Sequence, residues 1–105
     1  MYLGIDIGGT KTLLARLDND GVIKEHLKFP TPNVYPEFLK EISIAVANLS
    51  TKDFVACGIG APGRIDRAHG TVHALGNLPW KDVPLQRDAR RILGCPVAIE
   101  NDANL

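Results

Sequence analysis

Neither sign of charge is in excess in this 105-residue sequence: twelve Lys and Arg balance twelve Asp and Glu, and the cations are scattered rather than clustered. The electrostatic footprint of a duplex-binding or membrane-surface protein is therefore absent, and nucleic acid is not an expected partner. No long apolar run occurs, and no basic lead or small-residue cleavage site precedes the strand-like segment at residues 2–7. Neither membrane spanning nor secretion is indicated, which leaves the cytoplasm as the expected compartment. Cysteine is just as sparse. Cys57 and Cys95 lack the paired spacing and nearby histidine of a zinc site, and two are too few to staple a secreted scaffold, so both read as small buried residues. His26, His69 and His73 have no partner at catalytic or metal spacing and read as surface or hairpin residues. Internal repeats and linkers are missing too.

What remains is ordinary globular material, with 45% apolar and 23% charged residues. That composition and length suit one compact domain with a real core, or one half of something larger. Tyr2 to Ile7 is a short apolar run ended by Gly8-Gly9, and Lys11 to Asp18 alternates, so two strands joined by a glycine turn are expected. Asp18-Asn19-Asp20-Gly21 is a turn signal leading into a third strand over Val22 to Phe29, stopped by Pro30 and Pro32. Phe38, Leu39, Ile42, Ala45, Val46 and Leu49 recur at helical spacing from Pro36 to Leu49.

Phe54 to Gly60 is apolar on both faces, as a central strand covered on two sides should be, and Ala61-Pro62-Gly63 breaks it. Residues 64–80 hold Gly70, Gly76 and Pro79 and read as an irregular excursion or small hairpin, with Trp80 as a packing anchor. Asp82 is a candidate cap for a helix from Pro84 to Leu93 that stops at Gly94, and Pro96 to Glu100 is the last strand. Three antiparallel strands followed by helix-strand repeats predict a mixed α/β sheet with helices on both faces.

Four short motifs carry chemistry. Backbone N–H groups at Gly8, Gly9 and Thr10 can converge on phosphate oxygens because no Cβ blocks the approach; Lys11 adds a cation, and Asp6 offers a carboxylate to magnesium through water. A plain hairpin that merely needs glycine fits the same residues. The turn lacks the spacing of a Walker loop or a dinucleotide fingerprint and runs into a strand where both require a helix. Ala61-Pro62-Gly63-Arg64 follows a buried strand, where α/β folds place ligands, although alone it reads first as a turn. Asn77 lies beside a loop where it can contact a ligand. Asn101-Asp102 pairs a carboxamide with a carboxylate at a strand end, suited to neighbouring hydroxyls of a polyol; Asp102 either accepts a proton there or caps the next helix.

Taken in order, Asp6-Ile-Gly-Gly-Thr-Lys11, Gly58-Ile-Gly-Ala-Pro-Gly63, Asn77-Leu-Pro-Trp80 and Glu100-Asn-Asp-Ala-Asn104 resemble the N-terminal half of a ROK-family sugar kinase. The resemblance implies that residues 1–105 are the N-terminal actin-like, ribonuclease-H-like ATPase domain of a two-domain enzyme. It implies that Asp6, Gly8, Gly9, Thr10 and Lys11 meet the phosphates of ATP and Mg2+. Gly63, Arg64, Asn77, Asn101 and Asp102 would face a hexose or N-acetylhexosamine, with Asp102 as the base for the hydroxyl at carbon 6. It places the adenosine pocket, a homodimer contact and, in many members, a structural zinc in a C-terminal half absent from this sequence, so the chain alone is expected to be a folded but inactive half-site. Two other readings share the phosphate turn. A sugar-responsive transcriptional regulator of the same family would carry a DNA-reading module before the first strand, where Met1 stands; an actin-like assembly protein would have no use for the Pro62-Gly63 and Asn101-Asp102 motifs.

Overall fold

A computed structural model describes residues 1–51, 53–75 and 78–101. The glycine turn folds β1 (Tyr2–Ile7) back on β2 (Lys11–Leu17), and the Asp18 turn folds β2 back on β3 (Ile23–Pro30). Asp18 closes its own turn: Oδ1 accepts from the N–H groups of Asp20 at 2.9 Å and Val22 at 3.0 Å, while Gly21 takes the left-handed φ of 81°. The Val22 N–H, with lesser help from Asp20 and Lys24, holds that carboxyl below its usual range.

Helix α1 (Tyr35–Ala47) then crosses the sheet and returns the chain to β4 (Ala56–Ala61), parallel to β1. Its predicted stripe is the buried one, with Phe38, Ile42, Ala45 and Val46 inward, and Pro36 stands in the first turn. After the small strands β5 (Arg64–Asp66), β6 (Thr71–Leu75) and β7 (Leu78–Val83) comes α2 (Leu85–Leu93), ended by Gly94 at φ 69°, and then β8 (Val97–Asn101) parallel to β4. The main sheet has the order β3-β2-β1-β4-β8, and β5-β6-β7 form a second, antiparallel sheet. No helix among the described residues is long and apolar enough to cross a membrane.

Period-2 alternation sorts the main sheet into two unlike faces. Leu3, Ile5, Ile7, Leu14, Ile59 and Ile99 join the buried residues of α1 and α2 in one core. On the opposite face lie Tyr2 and Leu13, each 41% exposed, above a floor of Gly4, Ala15 and Gly58 that forms a groove of ≈ 420 Å³. Among the described residues, the expected helical cover is met on one face only. The apolar run through β4 misleads because Gly58 and Gly60 have no side chain to bury.

Of the two readings of residues 64–80, the hairpin is the one borne out: the described part holds β5, β6 and the start of β7 in antiparallel pairing, and Pro79 is accommodated because β7 is an edge strand, where a missing N–H breaks no ladder. One further expectation is corrected. Asp82 does not cap α2. It lies in β7 at φ 53°, its Oδ1 is 2.7 Å from His73 Nδ1, and the N-cap position belongs to Pro84. His69 likewise pairs with Asp66 at 2.7 Å, a bond that lowers the Asp66 carboxyl below its usual range. Both cysteines are buried as expected, and burial pushes the Cys57 thiol up to about 12.

Trp80 is the anchor of the small sheet. It is 2% exposed, its ring centroid lies 4.6 Å from Phe38 and 5.4 Å from Tyr35, and Nε1 donates to the Asn33 carbonyl at 3.0 Å. A second junction forms at Gly70, whose carbonyl accepts the Gln86 N–H at 3.1 Å while Gln86 Nε2 donates to the Val97 carbonyl at 2.7 Å. Gly70 has φ 66°, and a Cβ there would collide with the Gln86 side chain. Gly70→Ala is expected to cost about 2–4 kcal/mol in denaturant unfolding. In a double-mutant cycle with Gln86→Ala, which removes the Oε1 and Cδ part of the collision, the double variant should lose less than the sum of the two single losses; strict additivity would assign the loss to the backbone conformation and the Gln86 Cβ instead.

Candidate functional site

Strands β1, β4 and β8 run parallel, so their carboxyl ends share one sheet edge, the edge where open α/β sheets place ligands. The register sets Asp6 beside Gly60 and Gly60 beside Glu100. These three positions form a row on the face opposite the helices, and two strand spacings put the backbones of Asp6 and Glu100 about 10 Å apart. The residue between them, Gly60, is buried and contributes no side chain to that row.

At one end of this edge is the glycine hairpin. The Gly8 N–H donates to the Lys11 carbonyl at 2.9 Å, and a Cβ on Gly8 would lie 2.7 Å from that oxygen, so the backbone itself excludes a side chain there. Gly9 differs: an added Cβ would meet nothing within 4 Å. Gly9, Thr10, Lys11 and Asp6 are all exposed. The hairpin thus has one glycine required by its own fold and a second that leaves open space before the backbone.

At the other end, Asn101 Nδ2 donates to the Gly63 carbonyl at 2.5 Å, joining two motifs that lie far apart in the chain. Gly63 has φ 96°, a left-handed conformation that glycine adopts without strain. Arg64 is exposed at the start of β5. Arg67 Nη2 lies 2.8 Å from Glu100 Oε2, a second tie between the small sheet and β8. Asn77 and Asp102 lie outside the described residues.

The structure therefore gathers Asp6, the glycine hairpin, Gly63 and Asn101 along one edge. Sequence reasoning passed over Arg67, Thr12 and Thr31. Thr12 is wholly buried and its Oγ1 is 2.8 Å from Thr31 Oγ1, which in turn donates to the Gly8 carbonyl at 2.8 Å. A buried threonine at an inward strand position, one residue from the glycine turn, was the available signal. His69, His73, Asp66 and Asp82 cluster on the small sheet, but no three His, Cys, Asp or Glu among the described residues gather as a metal site.

Known proteins place this geometry. The sequence profile of the ROK family matches residues 2–105. The chain is 38% identical over 105 residues to a glucokinase of Streptomyces coelicolor, covering 99% of this chain and 33% of that one. It is 36% identical over 107 residues to an N-acetyl-D-glucosamine kinase of Citrobacter koseri, covering 99% and 35%. Among solved structures, a ROK family glucokinase from Streptomyces griseus in complex with glucose and AMPPNP superposes with a TM-score of 0.87 at 38% identity, covering 98% of this chain and 33% of that one. A ROK family transcriptional regulator, a homologue of the E. coli MLC protein, shares the fold with a TM-score of 0.84 at 19% identity, covering 96% and 27%. The chain spans about a third of the length of the curated relatives it matches.

The two glycines of the hairpin should separate in a stability measurement. Gly8→Ala is expected to lose about 1–3 kcal/mol by chemical denaturation as its Cβ presses on the Lys11 carbonyl, whereas Gly9→Ala should change stability by less than about 1 kcal/mol. Equal losses would contradict the open space described at Gly9.

Proposed function

The chain belongs to the ROK family, and on that premise we propose that it is the N-terminal domain of an ATP-dependent hexose kinase. Its substrate class is a hexose or N-acetylhexosamine, the sugars in the names of its glucokinase and N-acetylglucosamine kinase relatives. The observation that supports this reading most directly is the Asn101 to Gly63 hydrogen bond, which brings two polyol-facing motifs together on the sheet edge that also carries the glycine hairpin.

In this reading the backbone N–H groups of Gly9 and Thr10, with the Lys11 ammonium, receive the terminal phosphates of ATP, and Gly8 shapes the turn. Asp6, an exposed hard oxygen donor at the carboxyl end of β1, fits Mg2+ held through water. The ion, when bound, neutralises charge on those phosphates. Gly63, Asn77, Asn101 and Asp102 hold the sugar, and Arg64 borders it. Asp102 orients the hydroxyl at carbon 6 and accepts its proton as the γ-phosphoryl group leaves ATP. Because phosphoryl transfer passes through a loose transition state, the protein's contribution is chiefly alignment and charge stabilisation.

Adenosine recognition, further sugar contacts and the homodimer contact belong in this proposal to the remainder of the protein, so the 105-residue chain alone does not turn over. The fold shared with a ROK transcriptional regulator supports a second reading, a sugar-binding domain without catalysis. Incubating the longer protein with a panel of hexoses and following ADP separates the two. Hexose-stimulated ATP consumption supports the kinase; operator binding without it supports the regulator. In the kinase, Asp102→Asn should lower turnover by about 10²–10⁴-fold while calorimetry finds hexose binding preserved. A variant turning over at a near-normal rate would remove Asp102 as the base.

A further inference from the structure

Thr31, just beyond the end of β3, has no part in the function proposed above, yet it makes three contacts behind the glycine hairpin. Its Oγ1 donates to the Gly8 carbonyl at 2.8 Å, its N–H donates to the Thr10 carbonyl at 2.9 Å, and Thr12 Oγ1 lies 2.8 Å from its own Oγ1. A threonine hydroxyl carries a single proton. Thr31 gives that proton to Gly8, so Thr12 is the donor in the bond between the two hydroxyls. The chain runs one way, from the buried Thr12 hydroxyl through Thr31 to the Gly8 carbonyl.

Direction matters because a trans peptide is planar, with the carbonyl of one residue pointing opposite to the N–H of the next. The described residues contain no cis peptide. Drawing the Gly8 and Thr10 carbonyls toward Thr31 therefore turns the N–H groups of Gly9 and Lys11 away from it. The peptide between Gly8 and Gly9 is also the easiest in the hairpin to rotate, because neither flanking residue has a Cβ to restrict it. Rotated by half a turn, it would aim a carbonyl oxygen where the cradle needs an N–H, replacing attraction for phosphate with repulsion.

We propose that Thr31, backed by Thr12, is a positioning residue that locks the Gly8–Gly9 peptide in the orientation that presents the Gly9 N–H to the phosphates of the nucleotide. The proposal rests on the kinase reading for the identity of the ligand. It assigns Thr31 no contact with ATP, and the hydroxyl acts only through the Gly8 carbonyl.

The test compares Thr31→Val, which keeps the shape and loses the hydroxyl, with Thr31→Ser, which keeps the hydroxyl, in the full-length protein. Thr31→Val should lower kcat/KM for ATP by about 10- to 100-fold, with KM for hexose unchanged within a factor of about two and AMPPNP binding by calorimetry weakened in parallel. Thr31→Ser should stay near wild type, and Thr12→Val, which leaves the bond from Thr31 to Gly8 in place, should lose less than Thr31→Val. Unchanged AMPPNP affinity in Thr31→Val, equal losses for nucleotide and hexose, or a Thr31→Ser as impaired as Thr31→Val would each overturn the proposal. Should Thr31→Val fail to fold, Thr31→Ala against Thr31→Ser makes the same comparison. A wild-type protein that binds AMPPNP but phosphorylates no hexose would sink the kinase reading and leave the binding comparison decisive; one that binds no nucleotide overturns both.

Discussion

Parallel pairing of β1, β4 and β8 is the constraint on which the rest depends, because only parallel strands bring all their carboxyl ends to the same edge. Each parallel step needs a crossover, and α1 and α2 supply the two that flank β4. Both crossovers pack on the same face, and the row of Asp6, Gly60 and Glu100 lies on the other. Polar groups from opposite ends of the sequence thus share one rim because of strand direction, without needing any attraction for one another.

Much of this was legible in the sequence wherever the signal is local. The Asp18 to Gly21 turn, the alternation in β2 and the helical spacing of Phe38, Ile42 and Val46 each report on a few consecutive residues, and each predicted element is present within a residue or two. Trp80 as a packing anchor and both cysteines as buried residues were legible for the same reason, since their chemistry leaves few other places. The gathering of Asn101 with Gly63 followed from a family resemblance rather than from spacing.

What escaped reading was set by partners distant in sequence. Asp82 has the right chemistry for a helix cap, but His73 on the neighbouring strand takes its carboxylate. Residues 64–80 are dense in glycine and proline, which left an irregular excursion and a hairpin both open, and the pairing of β5, β6 and β7 decides for the latter. Thr31 stands between Pro30 and Pro32, which read as the strand stop, and was itself assigned no role. Its bond to Gly8 joins positions with no periodic relation, so no local pattern announces it. Gly58 and Gly60 counted as apolar in a run that implied two buried faces, whereas their actual effect is to flatten one of them.

The small sheet is tied down on several sides: through Trp80 to Asn33, through Gly70 to Gln86, and through Gly63 and Arg67 to the end of β8. Gln86 extends the second tie through its side chain to the Val97 carbonyl, so helix, edge strand and small sheet meet at one residue. Fastened in this way, the Gly63 loop and the glycine hairpin are braced against one sheet. A displacement of the Gly63 loop is then passed through Asn101 and Glu100 into β8 and on to the sheet that carries the hairpin, so the two are expected to travel together.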